Sequence, residues 1–187
     1  HNADVGNVTS YTVTGCTQGA TYYARVRAKN GVGLYGSYSG ASNGIKIDTT
    51  APTGTPATPT DAGTTSASTT ITFNWTVGTA ADAESGIAGY YIQVAANTSF
   101  SPVFYEGDVG NVTSRSVTGC VNGSTYYARV RARNNVGLFS SYSGTSDGIA
   151  VQTVDTTAPT GTPSTPIDQG TYFNTLSILT FSWTIGT

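Results

Sequence analysis

Thr125-Tyr-Tyr-Ala-Arg-Val-Arg-Ala-Arg133 alternates with a period of two residues. Side chains of an extended strand point to opposite faces in turn. Tyr126, Ala128, Val130 and Ala132 therefore share one face, and Tyr127, Arg129, Arg131 and Arg133 share the other. One face is apolar and the other cationic, as in a strand with one side on a core and one toward water. Working outward, Ile71, Phe73, Trp75 and Val77 alternate in the same way, as do Tyr90, Ile92 and Val94. Ile149 and Val151 mark a last strand. Clusters of Gly, Asn, Ser and Asp separate these runs, and no apolar stripe has a helical period. The expectation is a two-sheet sandwich of about seven short strands.

The sequence also repeats itself. Residues 4–45 recur as residues 108–149, with 31 of 42 positions identical at an offset of 104. The segment DTTAPTGTP at 48–56 recurs unchanged at 155–163, and Phe73-Asn-Trp-Thr76 recurs as Phe181-Ser-Trp-Thr184. Residues 80–104 have no second copy. The 187 residues divide into 1–48, the C-terminal part of one repeat, 49–155, a complete domain, and 156–187, the N-terminal part of a further repeat. A unit of this length is a domain rather than a solenoid element. The reading is a window on a tandem array. Its partial units are expected to be completed by neighbouring copies or by further residues of the same protein.

Composition narrows the function classes. Eight Lys+Arg against ten Asp+Glu give a net charge of −2, without the basic excess of a nucleic-acid binder. No apolar run is long enough to span a membrane. Twelve Tyr, six Phe and two Trp are too many aromatics for a disordered chain. The one His is His1, so a Ser–His or Cys–His pair cannot form within the complete domain. Metalloprotease, Cys-x-x-Cys and phosphate-loop motifs are absent, and the expectation is a protein without catalytic activity. Cys16 and Cys120 hold the same slot in successive repeats. A disulfide needs Cα atoms within about 7 Å, so the two read as small buried hydrophobes.

The stretch Val117-Thr-Gly-Cys-Val-Asn-Gly-Ser-Thr-Tyr-Tyr-Ala-Arg-Val-Arg-Ala-Arg-Asn134 resembles the E–F region of a fibronectin type III domain. In that family a core Leu stands six residues before a Tyr. Inward residues follow at every second position, and an Asn comes eight after the Tyr. Cys120, Tyr126, Ala128, Val130, Ala132 and Asn134 fall on those slots, with Cys120 and Cys16 departing from the Leu. Trp75 matches the family's strand-B Trp, and Gly137 and Ser143 fit its F–G loop and following strand. The resemblance implies an all-β fold of tandem immunoglobulin-like, seven-stranded sandwiches. It also implies that Tyr126 and Tyr22 are tyrosine-corner residues whose hydroxyls bond back to the chain near the E–F turn. The DTTAP linkers and Asp82-Ala-Glu-Ser-Gly-Ile87 look like bacterial or archaeal surface-protein versions. The implied role is an extracellular or cell-surface structural segment: a spacer, stalk or filament. The alternatives are an adhesin, or an accessory module of a secreted polysaccharide-degrading enzyme.

Three sets of residues are candidates for binding. Arg129, Arg131 and Arg133 with Tyr127, and Arg25, Arg27 and Lys29 in the other copy, place six of the eight basic residues on outer strand faces. Such a face either binds a polysaccharide or anionic partner, or is a solvated surface that discourages aggregation. In the implied strand order, Asp48 lies near Asp82 and Glu84 at a domain junction. Converging carboxylates suit Ca²⁺, which takes six to eight oxygens; the other reading has Asp48 capping a turn at Thr49–Thr50. No other cofactor is expected. Asn7, Asn74, Asn97, Asn111 and Asn122 fit the N-glycosylation pattern.

Overall fold

The computed structural model describes residues 2–153, 158, 160–168, 170 and 180–185. The chain forms two compact units, His1–Thr153 and Val154–Thr187. The described residues contain nine strands: β1 (Thr21–Tyr22), β2 (Ile45–Lys46), β3 (Thr65–Ser66), β4 (Ile71–Asn74), β5 (Ile87–Ala95), β6 (Tyr105–Gly110), β7 (Ser114–Val117), β8 (Thr125–Asn134) and β9 (Ile149–Val151). They contain no helix long and apolar enough to cross a membrane.

Residues 49–153 form an all-β sandwich. One sheet has the order β3-β9-β8-β5-β6, and β4 pairs with β7 in the other. The central strand β8 alternates half-buried and buried residues along its whole length. Its inward set, Tyr126, Ala128, Val130 and Ala132, meets Ile71, Phe73, Trp75, Tyr90, Ile92 and Val94 in one core cluster. Strand β5 runs antiparallel to β8 with Ile92 opposite Val130. Trp75 packs edge-on against Tyr90 with ring centroids 5.9 Å apart. The alternation read for the Trp75 strand ends early: β4 stops at Asn74, and Val77 is exposed. The reason is local. Gly78, at φ +60°, turns the chain where a Cβ would come 2.4 Å from the Ala57 nitrogen.

The segment after β8 does not form a regular strand. Ser140, Ser143 and Ser146, spaced by three, each make two bonds to β8. Their N–H groups donate to the carbonyls of Ala132, Val130 and Ala128 at 2.9, 2.7 and 2.9 Å. Their hydroxyls accept from the N–H groups of the same three residues at 2.9, 3.0 and 2.9 Å. Serine side chains thus take the place of strand carbonyls and leave no inward backbone group unpaired on that edge.

The partial copy at the N-terminus repeats this arrangement with less order. Ser39 and Ser42 bond Val26 and Ala24 in the same reciprocal way. The segment equivalent to β8 is a strand only over Thr21–Tyr22. Among the described residues, no strand equivalent to β5 lies beside residues 24–29; in the complete domain β5 pairs with β8 from Ile87 to Ala95.

Candidate functional site

The outward side chains of β8 form a ladder with aromatic rings from three other segments. The Arg129 guanidinium lies 4.1 Å from the Phe100 ring centroid and 4.3 Å from that of Tyr142. Its Nε and Nη2 donate to Gln93 Oε1 at 3.0 and 2.7 Å. Arg131 lies 4.1 Å from Phe139, 4.8 Å from Tyr91 and 4.9 Å from Tyr142. Arg133 Nε sits 2.6 Å from Asp108 Oδ2. Phe139 and Tyr142 each immediately precede a residue of the serine triplet, so the same spacing of three that satisfies the β8 backbone sets these rings between the arginines. Tyr127 ends the ladder over Gly148, where a Cβ would come 2.4 Å from its ring. The first copy repeats the pattern, with Arg25 over Tyr38 at 4.2 Å and Arg27 over Tyr35 at 4.1 Å.

This face is more closed than a solvated cationic ladder. Arg129, Arg131 and Arg133 are half-buried, and their planar faces are covered by rings or paired with a carboxylate. A stacked, partly desolvated guanidinium contributes about 0.5–2 kcal/mol. Arg131 Nε is buried and has no hydrogen-bond acceptor among the described residues.

The second constellation is the junction between the first copy and the complete domain. One carboxylate oxygen from each of Asp48, Asp82 and Glu84 lies within 4.8 Å of the others. The buried Asn134 side chain occupies the approach to two of them. Its Nδ2 donates to Asp48 Oδ2, Asp82 Oδ2 and the Thr50 carbonyl, each at 3.0 Å. Its Oδ1 accepts from the Val136 and Leu138 N–H groups at 3.2 and 2.8 Å, closing the β8 turn. Asp48 Oδ1 accepts from Thr50 N–H at 3.0 Å, capping the turn, and the Ser85 hydroxyl donates to its Oδ2. Asp82 Oδ1 accepts from the Ser85 and Gly86 N–H groups at 2.7 and 3.0 Å.

These donors set the electrostatics. The Ser85 hydroxyl, ahead of the Thr50 N–H, holds the Asp48 carboxyl below its ordinary value. Burial pushes Asp82 up, but the Ser85 N–H, the Asn134 amide and the Gly86 N–H together bring it below its ordinary value. On the other side of the linker, Gln18 Oε1 accepts from the Thr49 N–H at 2.7 Å, and Lys46 Nζ donates to the Ala83 carbonyl at 3.0 Å. Three carboxylates are few beside the six to eight oxygens of a calcium site, and protein donors already engage two of them. The arrangement is a hydrogen-bonded lock between linker, loop and strand end.

The remaining residues singled out in the sequence are placed as follows. Val121 N–H donates to the Tyr126 hydroxyl at 3.0 Å, and Thr17 N–H to the Tyr22 hydroxyl at 2.9 Å. Cys120 is buried, and burial pushes its thiol up; Cys16 is exposed. Asn7, Asn74, Asn111 and Asn122 are exposed, whereas Asn97 Nδ2 donates to the Ser101 carbonyl at 3.1 Å. Sequence reasoning placed Asn134 in the family pattern but gave it no partner 86 residues away. It read Ser143 only as part of a strand after the F–G loop. The spacing Ser140-x-x-Ser143-x-x-Ser146 was the available signal for the serine edge. It also passed over Asp61, whose Oδ2 is buried without a hydrogen-bond partner.

Residues 57–147 match the fibronectin type III domain family. A Kelch domain-containing protein of the archaeon Saccharolobus solfataricus is 32% identical over 134 residues, 72% of this chain and 17% of that protein. The chain thus spans about a sixth of the length of that curated relative. A solved fibronectin-type-III-like protein from Clostridium thermocellum is 19% identical, with 57% of this chain and 99% of that one covered and a TM-score of 0.40. Chicken contactin-1 domains FN1–FN3 are 22% identical, with 76% and 46% covered and a TM-score of 0.48.

Proposed function

We propose, from the match of residues 57–147 to the fibronectin type III domain family, whose members are generic structural and binding modules, that the protein is a stiff spacer segment of an extracellular surface protein. It performs no catalysis of its own in this reading. One observation carries the proposal: the linker at Asp48–Thr50 is bonded on both sides, to Gln18 of the preceding copy and to Asn134 of the complete domain. A short linker tied at both ends cannot swivel, and a spacer needs a fixed angle more than it needs a site. Small-angle scattering of residues 1–153 tests this. The expected result is one elongated form that broadens into many orientations in a Gln18→Ala, Asn134→Ala variant. A broad distribution already present in the unaltered protein would overturn it.

A second reading rests on the half-buried row of Arg129, Arg131 and Arg133 on the outer face of β8. In it, the Arg129–Arg131–Arg133 edge with Tyr127 binds an anionic polysaccharide. Retention on immobilised heparin, reduced by Arg131→Ala, is the expected result. Retention unchanged in the Arg129→Ala, Arg131→Ala variant would remove the idea.

A further inference from the structure

The linker engages the Gln18 side-chain amide at both of its ends. Gln18 Oε1 accepts from the Thr49 N–H and from the Thr49 hydroxyl, each at 2.7 Å. Gln18 Nε2 donates to Thr50 Oγ1 at 3.1 Å and reaches Asp48 Oδ1 at 3.5 Å. Thr50 Oγ1 in turn donates to Asp48 Oδ1 at 3.3 Å, and the Thr50 N–H holds that same oxygen at 3.0 Å.

These contacts are the parts of an acyl transfer. A hydroxyl beside a carboxylate that can take its proton is a nucleophile with its base. Two donors on one carbonyl oxygen stabilise the charge that develops there when the carbon is attacked. The amide nitrogen is the leaving group, and it contacts both the nucleophile and the base. The Ser85 hydroxyl, the first cause, holds the Asp48 carboxyl below its ordinary value, so Asp48 stands as a carboxylate at neutral pH. That hydroxyl bonds Oδ2 and leaves Oδ1 to Thr50. Holding the groups together in one turn removes much of the entropic cost of bringing them into contact.

We propose that Thr50 and Gln18 form an intramolecular ester with loss of ammonia, a covalent clasp between the preceding copy and the linker. The amide turns about its Cγ–Cδ bond so that its face meets Oγ1. A bond forms between Thr50 Oγ1 and Gln18 Cδ, and the Cδ–Nε2 bond breaks. Asp48 Oδ1 takes the hydroxyl proton and passes it to Nε2, which departs as ammonia. Nothing is oxidised or reduced, and no co-reactant enters. Thr49 and Thr50 are exposed, so the ammonia escapes to solvent and the reaction does not reverse. The repeat contains its own contrast. Position 122, the equivalent of Gln18, is Asn, one methylene shorter, and its Oδ1 accepts from the Thr153 N–H at 2.9 Å. The clasp is a single self-modification without turnover. It rests on the geometry around Gln18 and not on the spacer reading, and either holds without the other.

Intact-mass spectrometry of the 187-residue chain, after incubation at neutral pH, is expected to show a mass lowered by one ammonia. Trypsin cuts after Arg25, Lys46 and Arg115. It is expected to leave residues 1–25 joined to residues 47–115, which contain no Cys to make the link. Mild alkali is expected to part the two peptides and leave a carboxylate at position 18. Thr50→Val keeps the side chain's shape without the nucleophile, and Gln18→Glu removes the leaving amine. Both variants are expected to keep the circular dichroism of the unaltered chain, lose no ammonia and give separate peptides. Thr49→Ala, with one of the two oxyanion donors gone, is expected to form the ester about 100-fold more slowly. A full mass in the unaltered chain after prolonged incubation would overturn the proposal. So would ammonia loss that persists in Thr50→Val, a link that survives alkali, or an unchanged rate in Thr49→Ala. A full mass together with one elongated form by scattering would sink the ester and leave the spacer standing.

Discussion

Asn134 donates its side-chain amide to Asp48 across 3.0 Å of space and 86 residues of sequence. The amide's two hydrogens are shared among Asp48, Asp82 and the Thr50 carbonyl. Its removal leaves two carboxylates and a carbonyl facing a void. Asn134→Ala is expected to destabilise the protein by about 1–3 kcal/mol, read by urea unfolding. Calcium dependence separates a lock from a cation seat. In a lock, melts in millimolar CaCl₂ and in EDTA superimpose for the unaltered protein. A site with a dissociation constant of about 10 μM would instead add roughly 2.7 kcal/mol at about 1 mM calcium, and that result would assign the carboxylates to the ion.

Acid should loosen this junction. Asp48 and Asp82 are held below their ordinary values in the folded state. Their contribution is therefore present above the unfolded carboxylate range, about pH 4. It is lost as pH falls through the folded values. Asp61 has the opposite sign. Burial pushes it up, its Gly63 N–H bond opposes this, and nearby Asp147 raises it further. Its stabilising contribution is present below the unfolded value and is lost as pH rises through the folded one. Asp61→Asn keeps an oxygen for Gly63 and removes the orphaned charge. It is expected to raise stability at pH 7 by about 1 kcal/mol, with a smaller gain toward pH 4. Thermal melts of both proteins across that range check it, and a gain that grows as pH falls would contradict it.

The serine edge predicts a contrast between neighbours. Ser143→Ala leaves the buried Val130 N–H without its acceptor, for an expected loss of about 1–3 kcal/mol. Ser141 is exposed, and Ser141→Ala is expected to stay within about 0.5 kcal/mol of the unaltered protein. Equal unfolding midpoints for the two variants would mean the hydroxyls are ornamental.

Trp75 fills the core beside Tyr90. Trp75→Ala should cost roughly 3–5 kcal/mol, a large part of a small domain's stability. Trp75→Phe keeps an edge-on partner for Tyr90 and deletes an Nε1–H that is buried without a hydrogen-bond partner. Its expected cost is below about 1.5 kcal/mol. Denaturation midpoints of the two variants give the comparison directly.

How much of this was legible depends on the distance over which each signal acts. The faces of β8 follow from a period of two and needed only nine residues of sequence. Trp75 was readable as core for the same reason, while Val77, read on the same face, is exposed because Gly78 ends the pattern through a backbone turn that alternation does not encode. The cationic face was visible; its closure by Phe100, Phe139 and Tyr142 was not. Those rings come from segments with no regular period; the spacing of the serines fixes Phe139 and Tyr142, and Phe100 comes from the loop after β5. The approach of Asp82 and Glu84 to Asp48 came from strand order. The Asn134 amide between them depends on how one turn at the end of β8 meets a linker, which is a matter of tertiary packing.

In the spacer reading, the lock also decides how the protein would carry load. Tension pulling on the linker at Thr50 reaches the domain through Asn134 and Asp48 before it reaches any sheet edge. Asn134 terminates β8, which is zipped to β5 along one side and to the serine edge and β9 along the other. Force entering there is spread over many hydrogen bonds sheared together, instead of peeling them one by one. In that reading the junction would yield at its small amide clamp before the sandwich unfolds, a link that can lengthen and re-form.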